Sequence, residues 1–436
     1  MRRRLTAATA LLLAGCPAPS APRVAEPVGA YTPGQLLVKF TAPPSDEAVR
    51  GAIAGMGATA IAPLGHGLWQ VGVPAGQERD WMDRFQRRGD VAYAEVDRHF
   101  QNEMVGGFRM VGARTVQAAA PNDPLYPANP VNPVTHQPRL GLPGQWGLDA
   151  MQVLNAWDTT TGSGVLVAVL DTGVDLNHED LQANLDAADA FNFVENTSTP
   201  DDDFGHGTHI AGAIAAVANN GVGIAGVAPN CKVLPIRVLG VNGGSTVALI
   251  KGIDWAIRKG AKVINMSLGS SQYSRAEEDE VNQALANDIV VVAAAGNEAL
   301  NGNPLSYPAA LSGVLSVAAV GRNADGSFYR GEFSNFNPLV TVAAPGVDIL
   351  STVPTRFMSP GSSHPDAPYA YASGTSMASA MACGAVALIR AAHKDWTRDQ
   401  VVRALRGSAK RLGSTPIDPF FGSGLVQAAG ALGFTP

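Results

Sequence analysis

Five short apolar runs, at 165–170, 233–239, 263–266, 289–294 and 314–320, are rich in Val, Ile and Ala and are separated by segments of helical periodicity. Runs of this length without polar alternation read as strands buried on both faces, and intervening helices make the sheet parallel. The chain is therefore read as an α/β protein on a buried, mainly parallel sheet. In such sheets the ligand lies beyond the carboxyl ends of the strands, so chemistry is sought in the residues that follow each run. At 436 residues the chain has room for two or three folded units. Being 46% hydrophobic and 16% charged, it is not disordered throughout. Residues 1–120 carry 13 Lys+Arg against 10 Asp+Glu, and the remainder 18 against 27. The larger part is acidic, so nucleic acid is not an expected partner. Three cysteines are too few for a disulfide scaffold.

The first segment reads as an address. Arg2-Arg3-Arg4 precedes an apolar stretch at 5–13, too short to span a bilayer and built like a secretory signal. It ends in Leu13-Ala14-Gly15-Cys16, which resembles a bacterial lipobox, so that Cys16 would carry lipid and hold the precursor at a membrane. An ordinary signal with a chance cysteine is the alternative; either predicts export. No later apolar run reaches 18 residues. Residues 17–34, rich in Pro and Ala, read as a tether. Within 35–100 the pattern is strand (35–40), helix (46–56), strand (67–73), helix (77–88), strand (91–96), a small α+β domain. Residues 101–121 show no period and read as a second linker, leaving 122–436 as the large domain.

The ends of the strand runs carry an Asp, a His, an Asn and a Ser. Asp171-Thr172-Gly173 follows the first run directly. Gly205-His206-Gly207-Thr208-His209 leads into a helical pattern, which puts His206 at a helix N-terminus among glycines that allow close approach. Gly296-Asn297 follows the fourth run and offers an amide donor. Ser376, in Ser373-Gly374-Thr375-Ser376-Met377, opens another helix, where backbone N–H groups favour developing negative charge. Asp, His and Ser are the set that makes a hydroxyl nucleophilic at neutral pH, and an amide with a backbone N–H can hold an oxyanion.

In this order, Leu170-Asp171-Thr172-Gly173, Gly205-His206-Gly207-Thr208-His209, Ala295-Gly296-Asn297 and Gly374-Thr375-Ser376-Met377-Ala378 closely resemble the motifs of the subtilisin-like serine peptidases. Supporting blocks are Gly226-Val227-Ala228-Pro229, Asn265-Met266-Ser267-Leu268-Gly269, Tyr307-Pro308-Ala309 and Ala344-Pro345-Gly346. The resemblance implies a three-layer subtilisin-like fold, preceded at 35–100 by a ferredoxin-like α+β propeptide that acts as an intramolecular inhibitor. It implies a secreted, monomeric serine endopeptidase acting on proteins and peptides. Asp171 would orient the base, His206 would be general base then acid, Ser376 the nucleophile, and Asn297 the oxyanion donor. Ser267, Leu268 and Gly269 would pair with extended substrate backbone. Gly269, Gly296 and Ser306 would line a specificity pocket whose small residues imply bulky apolar preference. Self-cleavage is expected within 101–121, leaving a mature body that starts near Ala120 or Pro121. If Cys16 is lipidated, that cut would free the catalytic domain from the membrane.

The same resemblance implies a structural Ca²⁺ site. Ala218-Asn219-Asn220-Gly221-Val222-Gly223-Ile224 is similar to the family's calcium loop, with Ala218, Asn220, Val222 and Ile224 as neutral donors and Asp180 and Asp123 as carboxylates. The plainer reading makes Asp180 only a cap for the segment 179–183. No organic cofactor is implied.

Other readings of these residues are weaker. A single Asp-Thr-Gly does not make the paired carboxylates of an aspartic peptidase. His206 and His209 lack a third ligand at zinc spacing. Gly221-Val222-Gly223-Ile224-Ala225-Gly226 matches a dinucleotide fingerprint by letter, but follows a helix and precedes a strand, so it reads as a turn. Asp201-Asp202-Asp203 reads as a solvated acidic turn, with the alternative that it lines the cleft near His206 and favours basic or small groups there, and Cys383 as a buried apolar residue with no spacing argument for a bond to Cys231. Ala380 and Met381 depart from the family's pattern after the serine, and the segments 128–142 and 356–369 are unassigned. A binding protein on the same scaffold, or an esterase, are the alternatives in function.

Overall fold

A computed structural model describes residues 30–41, 45–110, 121–126, 144–357 and 368–435. The leader with Cys16, the segments 111–120 and 127–143, and most of the 356–369 loop therefore lie outside the described residues.

The small domain is a four-stranded antiparallel sheet in the order Thr59–Gly65, Leu68–Gly72, Tyr31–Phe40, Val91–Asn102. Two helices, Asp46–Gly55 and Glu78–Gln86, complete the strand–helix–strand–strand–helix–strand arrangement. Successive side chains of a strand face opposite sides. Leu36, Val38 and Phe40 thus meet Val49, Ile53, Trp81 and Phe85 beneath the helices, while Leu37 joins Leu68 and Tyr93 on the other face, against Val247, Ile250 and Ala276 of the large domain. Three boundaries differ from the sequence reading. The first strand starts at Tyr31, inside the expected tether, because Pro33 and Gly34 sit at an irregularity between the Tyr31–Arg98 and Leu36–Val96 pairs and cost no ladder bond there. Thr59–Gly65 was not expected: it is an edge strand, mostly exposed, so it lacks a buried apolar run. The last strand continues to Asn102, and Val105–Met110 is a further strand, so the expected linker is extended and paired over that length.

In the large domain the core sheet is parallel in the order Val342–Pro345, Leu315–Arg322, Val290–Ala294, Val263–Met266, Leu166–Asp171, Lys232–Arg237, Phe191–Asn192. Each of the five apolar runs became one of these strands. Phe328–Arg330 adds a short antiparallel edge. Val167 and Val169 pack on one side, with the helices His206–Ala215 and Thr375–Ala392. Ala168 and Leu170 pack on the other, with Thr246–Arg258. This is the three-layer sandwich expected of an α/β sheet covered on both faces. Thr375–Ala392 is long and apolar enough to cross a membrane by composition, yet 89% of it is buried inside the protein. It is the central core helix, and it carries Ser376 on its first turn.

Candidate active site

The fold delivers the four polar residues to one end of the sheet. Asp171 is the last residue of its strand, and His206 is the first of its helix, behind Gly205, whose φ of 98° is a left-handed turn that glycine adopts without strain. His206 Nδ1 lies 2.6 Å from Asp171 Oδ1, and both side chains are wholly buried. Asp171 Oδ1 also accepts from the Thr172 N–H at 2.7 Å. With Nδ1 committed to the carboxylate, Nε2 is left buried with no hydrogen-bond partner among the described residues. Ser376 Oγ donates to the Ser267 carbonyl at 3.0 Å in this state. Asn297 Oδ1 accepts from both the N–H and the hydroxyl of Thr375, each at 3.0 Å. That fixes the amide's orientation and leaves Nδ2 buried without a partner among the described residues.

The chain itself fills the cleft. Residues 99–103 run as an extended strand between two short edges. Gln101 and Asn102 pair antiparallel with Gly269 and Leu268, and His99 and Phe100 with Ser245 and Gly244. The Glu103 N–H donates to the Ser267 carbonyl at 3.1 Å, and the Glu103 carbonyl accepts from the Ser376 N–H at 3.0 Å. A Cβ on Gly374 would collide with that carbonyl, so only glycine lets the strand come so near. Phe100, 1% exposed, is buried among Val238, Leu239, Ala248 and Leu268. Beyond Met104, Val105–Met110 pairs antiparallel with Tyr369–Ser373. The backbone therefore crosses the nucleophile unbroken.

Ser267, Leu268 and Gly269 thus lie along the chain's own extended backbone. Gly269, Ser306 and Glu103 line a pocket of about 320 Å³ together with Glu298, and Gly296 stands beside Ser306, which a Cβ there would crowd. The occupant is not apolar: Glu103 places its carboxyl in the pocket, with Ser306 Oγ donating to it at 3.3 Å. Burial first, and then the neighbouring Glu298 charge, push its pKa up to about 8. Three contributors escaped sequence reasoning. Glu103 was hidden because the polar Gln101-Asn102-Glu103 breaks the apolar alternation that marks a strand, although the register from Val91 leads straight to it. The edge Gly243–Ser245 is three residues without an apolar side chain. Asp202 was read as part of a solvated turn, whereas it is 1% exposed. His209 is buried, and its Nε2 lies 3.1 Å from the carbonyls of both Ile349 and Ala370.

The residues expected around a cation converge on the loop 219–224. Asp180 accepts from Asn220 Nδ2 at 2.8 Å and the Ile224 N–H at 3.0 Å, rather than capping its own segment. Asp123 accepts from the N–H groups of Asn219 and Asn220. Burial pushes Asp180 up to about 7, with the Asp123 charge adding to it, and burial raises Asp123 as well. No group of three or more His, Cys, Asp and Glu that could hold a metal occurs among the described residues; any ion here would rest on two carboxylates and neutral oxygens, a hard donor set. Cys231 and Cys383 are both buried and free.

Comparison with known proteins bears on this geometry. The model of the subtilase peptidase family matches residues 162–424. The chain belongs to the subtilase family. A second match, to the fervidolysin N-terminal prodomain, covers residues 17–97. The chain is 38% identical over 288 residues to subtilisin Savinase of Lederbergia lenta, covering 66% of this chain and 97% of that protein. It is 37% identical over 309 residues to thermitase of Thermoactinomyces vulgaris, covering 71% and 97%. Among solved structures, fervidolysin from Fervidobacterium pennivorans, described as a keratinolytic enzyme related to subtilisin, superposes with a TM-score of 0.75 at 27% identity. That match covers 94% of this chain and 62% of fervidolysin. The chain is thus a subtilisin-like serine peptidase with an N-terminal prodomain, on the α/β fold the strand pattern implied.

Proposed function

We propose that this subtilase is an exported endopeptidase that cuts its own chain between Glu103 and Met104, using Asp171, His206 and Ser376 with Asn297. The observation that carries the reading is the Glu103 peptide, whose N–H is bound to Ser267 and whose carbonyl is bound to the Ser376 N–H. Ser376 Oγ turns from the Ser267 carbonyl toward His206 Nε2, gives up its proton there, and attacks the Glu103 carbonyl carbon. The oxygen becomes an oxyanion held by the Ser376 N–H and Asn297 Nδ2. Asp171 keeps the imidazole in the tautomer with Nε2 as acceptor and stabilises the imidazolium. His206 then passes the proton to the Met104 nitrogen, which leaves, and water repeats the sequence on the acyl-enzyme. The proposed bond lies upstream of the Ala120–Pro121 region expected from sequence. Residues 17–436 and a Ser376→Ala version, followed by intact mass, test it: the wild type yields a body that begins at Met104, and the variant stays whole. A first product beginning anywhere else overturns the assignment of the bond.

Substrates would bind as residues 99–103 do, in a strand between Gly243–Ser245 and Leu268–Gly269. Apolar side chains are preferred at the Glu103 position, because an ionised carboxylate there meets burial and the Glu298 charge. Peptide anilides ending in Phe are expected to be cleaved better than those ending in Glu at pH 9, with the gap closing toward pH 5. Glu298→Gln narrows it at pH 9 by about tenfold, the worth of roughly one pKa unit; an unchanged ratio counts against the pocket.

Calcium fits the paired carboxylates. Asp123, Asp180 and the oxygens of Ala218, Asn220, Val222 and Ile224 would hold it, and its charge would offset the burial that raises both acids and the Asp123 charge that adds to it at Asp180. At 100 times its Kd it would raise Tm by about 4 °C. Asp180→Asn should abolish that shift, and a Tm insensitive to both calcium and chelator would remove the site. Export follows from the leader at 1–16; lipid on Cys16 is tested by whether Cys16→Ser moves the precursor from the membrane fraction.

A further inference from the structure

The acidic run Asp201-Asp202-Asp203 is divided by the fold. Asp203 pairs with Arg237 Nη2 at 2.9 Å and is 45% exposed in its side chain, and the Asp201 side chain is exposed while its carbonyl accepts from Arg237 Nη1. Asp202 turns inward and receives five hydrogen bonds. Its Oδ1 accepts from Thr172 Oγ1 at 2.8 Å, the Phe204 N–H at 3.1 Å and the Gly205 N–H at 2.7 Å. Its Oδ2 accepts from the N–H and the hydroxyl of Thr208, at 2.8 and 2.6 Å.

Both hydroxyls are relays. Thr172 Oγ1 accepts from the Gly207 N–H at 2.9 Å before donating to Asp202. Thr208 Oγ1 likewise accepts from the Asp175 N–H at 3.0 Å. Thr172 and Asp175 belong to the turn after Asp171, and Gly207 and Thr208 follow His206 in its helix. Asp202 thus stitches together the two segments that carry the 2.6 Å Asp171–His206 contact. It also supplies the acceptor that the cap residue Gly205, having no side chain, cannot give to the first helical turn.

We propose that Asp202 is a positioning residue for the peptidase reaction, holding the Asp171 turn and the His206 helix in the register that aims Nε2 at Ser376. It touches no reacting atom. All five of its partners donate, so the carboxylate form is the one that fits: an amide must turn an N–H toward one of those donors. A misplacement of about 1 Å in such an array costs about 10²-fold in rate.

The inference rests on the reading of Asp171, His206 and Ser376 given above, so wild-type turnover is the control that tests that reading separately. Asp202→Asn, Thr172→Val and Thr172→Ser are made in the full chain, and the processed enzymes are compared on one peptide anilide from pH 5 to 10. Asp202→Asn should lower kcat by about 10²-fold with KM within about twofold, and displace the acid limb of the pH profile. Thr172→Val, which removes one relay without changing shape, should lower kcat by about tenfold, and Thr172→Ser should restore it. If Asp202→Asn does not fold, the Thr172 pair decides alone. Variants with wild-type kcat and pH profile but a lowered Tm would make Asp202 a structural cap and overturn the proposal. Wild type without turnover would instead overturn the assignment of the reacting residues.

Discussion

Replacing Ser376 with Ala should leave a folded chain of unprocessed mass whose peptide-hydrolysing turnover is lower by about 10⁶-fold, the size of the loss known for the same change in subtilisin. The fold survives because the hydroxyl makes one hydrogen bond, to the Ser267 carbonyl, whose net loss costs about 1 kcal/mol. The neighbouring Ser376 N–H contact to Glu103 is backbone and persists in the variant. His206→Ala should be of similar size, and combining the two should add little, because residues that act as a unit are not additive. Asn297 is a different case. Its Oδ1 takes two hydrogen bonds from Thr375 while Nδ2 has no ground-state partner among the described residues, so Nδ2 is available to meet charge that develops only during reaction. Asn297→Ala is expected to lower kcat by about 10²–10³-fold with KM little changed, again the range known for the oxyanion asparagine of subtilisin. Processing by Ser376→Ala at the Glu103–Met104 bond, measured by intact mass, would end the assignment of the nucleophile.

The sheet and the candidate site residues leave local marks in the sequence. A strand buried on both faces must be apolar throughout, so Val263–Met266 and Val290–Ala294 stand out without any partner being known. The residues at their tips must be polar against that background, so Asp171 and Asn297 stand out in turn. What was illegible depends on partners remote in sequence. Glu103 looks like linker because its extended state comes from Leu268–Gly269 and Gly243–Ser245, edges that lie far downstream in the chain. Thr59–Gly65 is held as a strand by Leu68–Gly72 rather than by its own composition. Asp202 has the same letter as its two solvated neighbours, and only the approach of Thr172 and Thr208 turns it inward. The charge of the pocket was illegible for a related reason: small lining residues describe its volume, whereas its charge comes from Glu298 and from the chain's own Glu103.

Alkaline pH should release the prodomain, with its inhibition weakening about tenfold per pH unit between about 5 and 8, or about 10³-fold in all. Free in solution, Glu103 titrates near the ordinary glutamate value of 4.5, whereas docked it is pushed up to about 8 by burial and by Glu298. A group whose pKa is raised on docking favours the docked state fully below its free value. That contribution declines as pH rises and is lost once pH passes the docked value. Cleavage after Glu103 would add a second carboxylate at the same residue and push in the same direction. A second buried acid at the interface has the same sign: Glu277 of the large domain is fully buried and raised well above the usual range, first by burial and then by the prodomain's Glu95. Opposing this, Glu95 accepts from Ser274 Oγ and the N–H groups of Arg275 and Ala276 at a helix N-terminus, and Lys39 pairs with Asp279 at 3.4 Å. Those contacts hold the complex together at neutral pH while the buried acids work against it. Processed complex is brought to pH 5 through 9, and peptidase activity and size are followed together. Activity should appear, and the prodomain should separate, as pH rises toward 8. Glu103→Gln removes the titrating group and keeps the shape, so its complex should lose most of that slope. An identical slope in both would mean that the carboxyl of Glu103 does not control release.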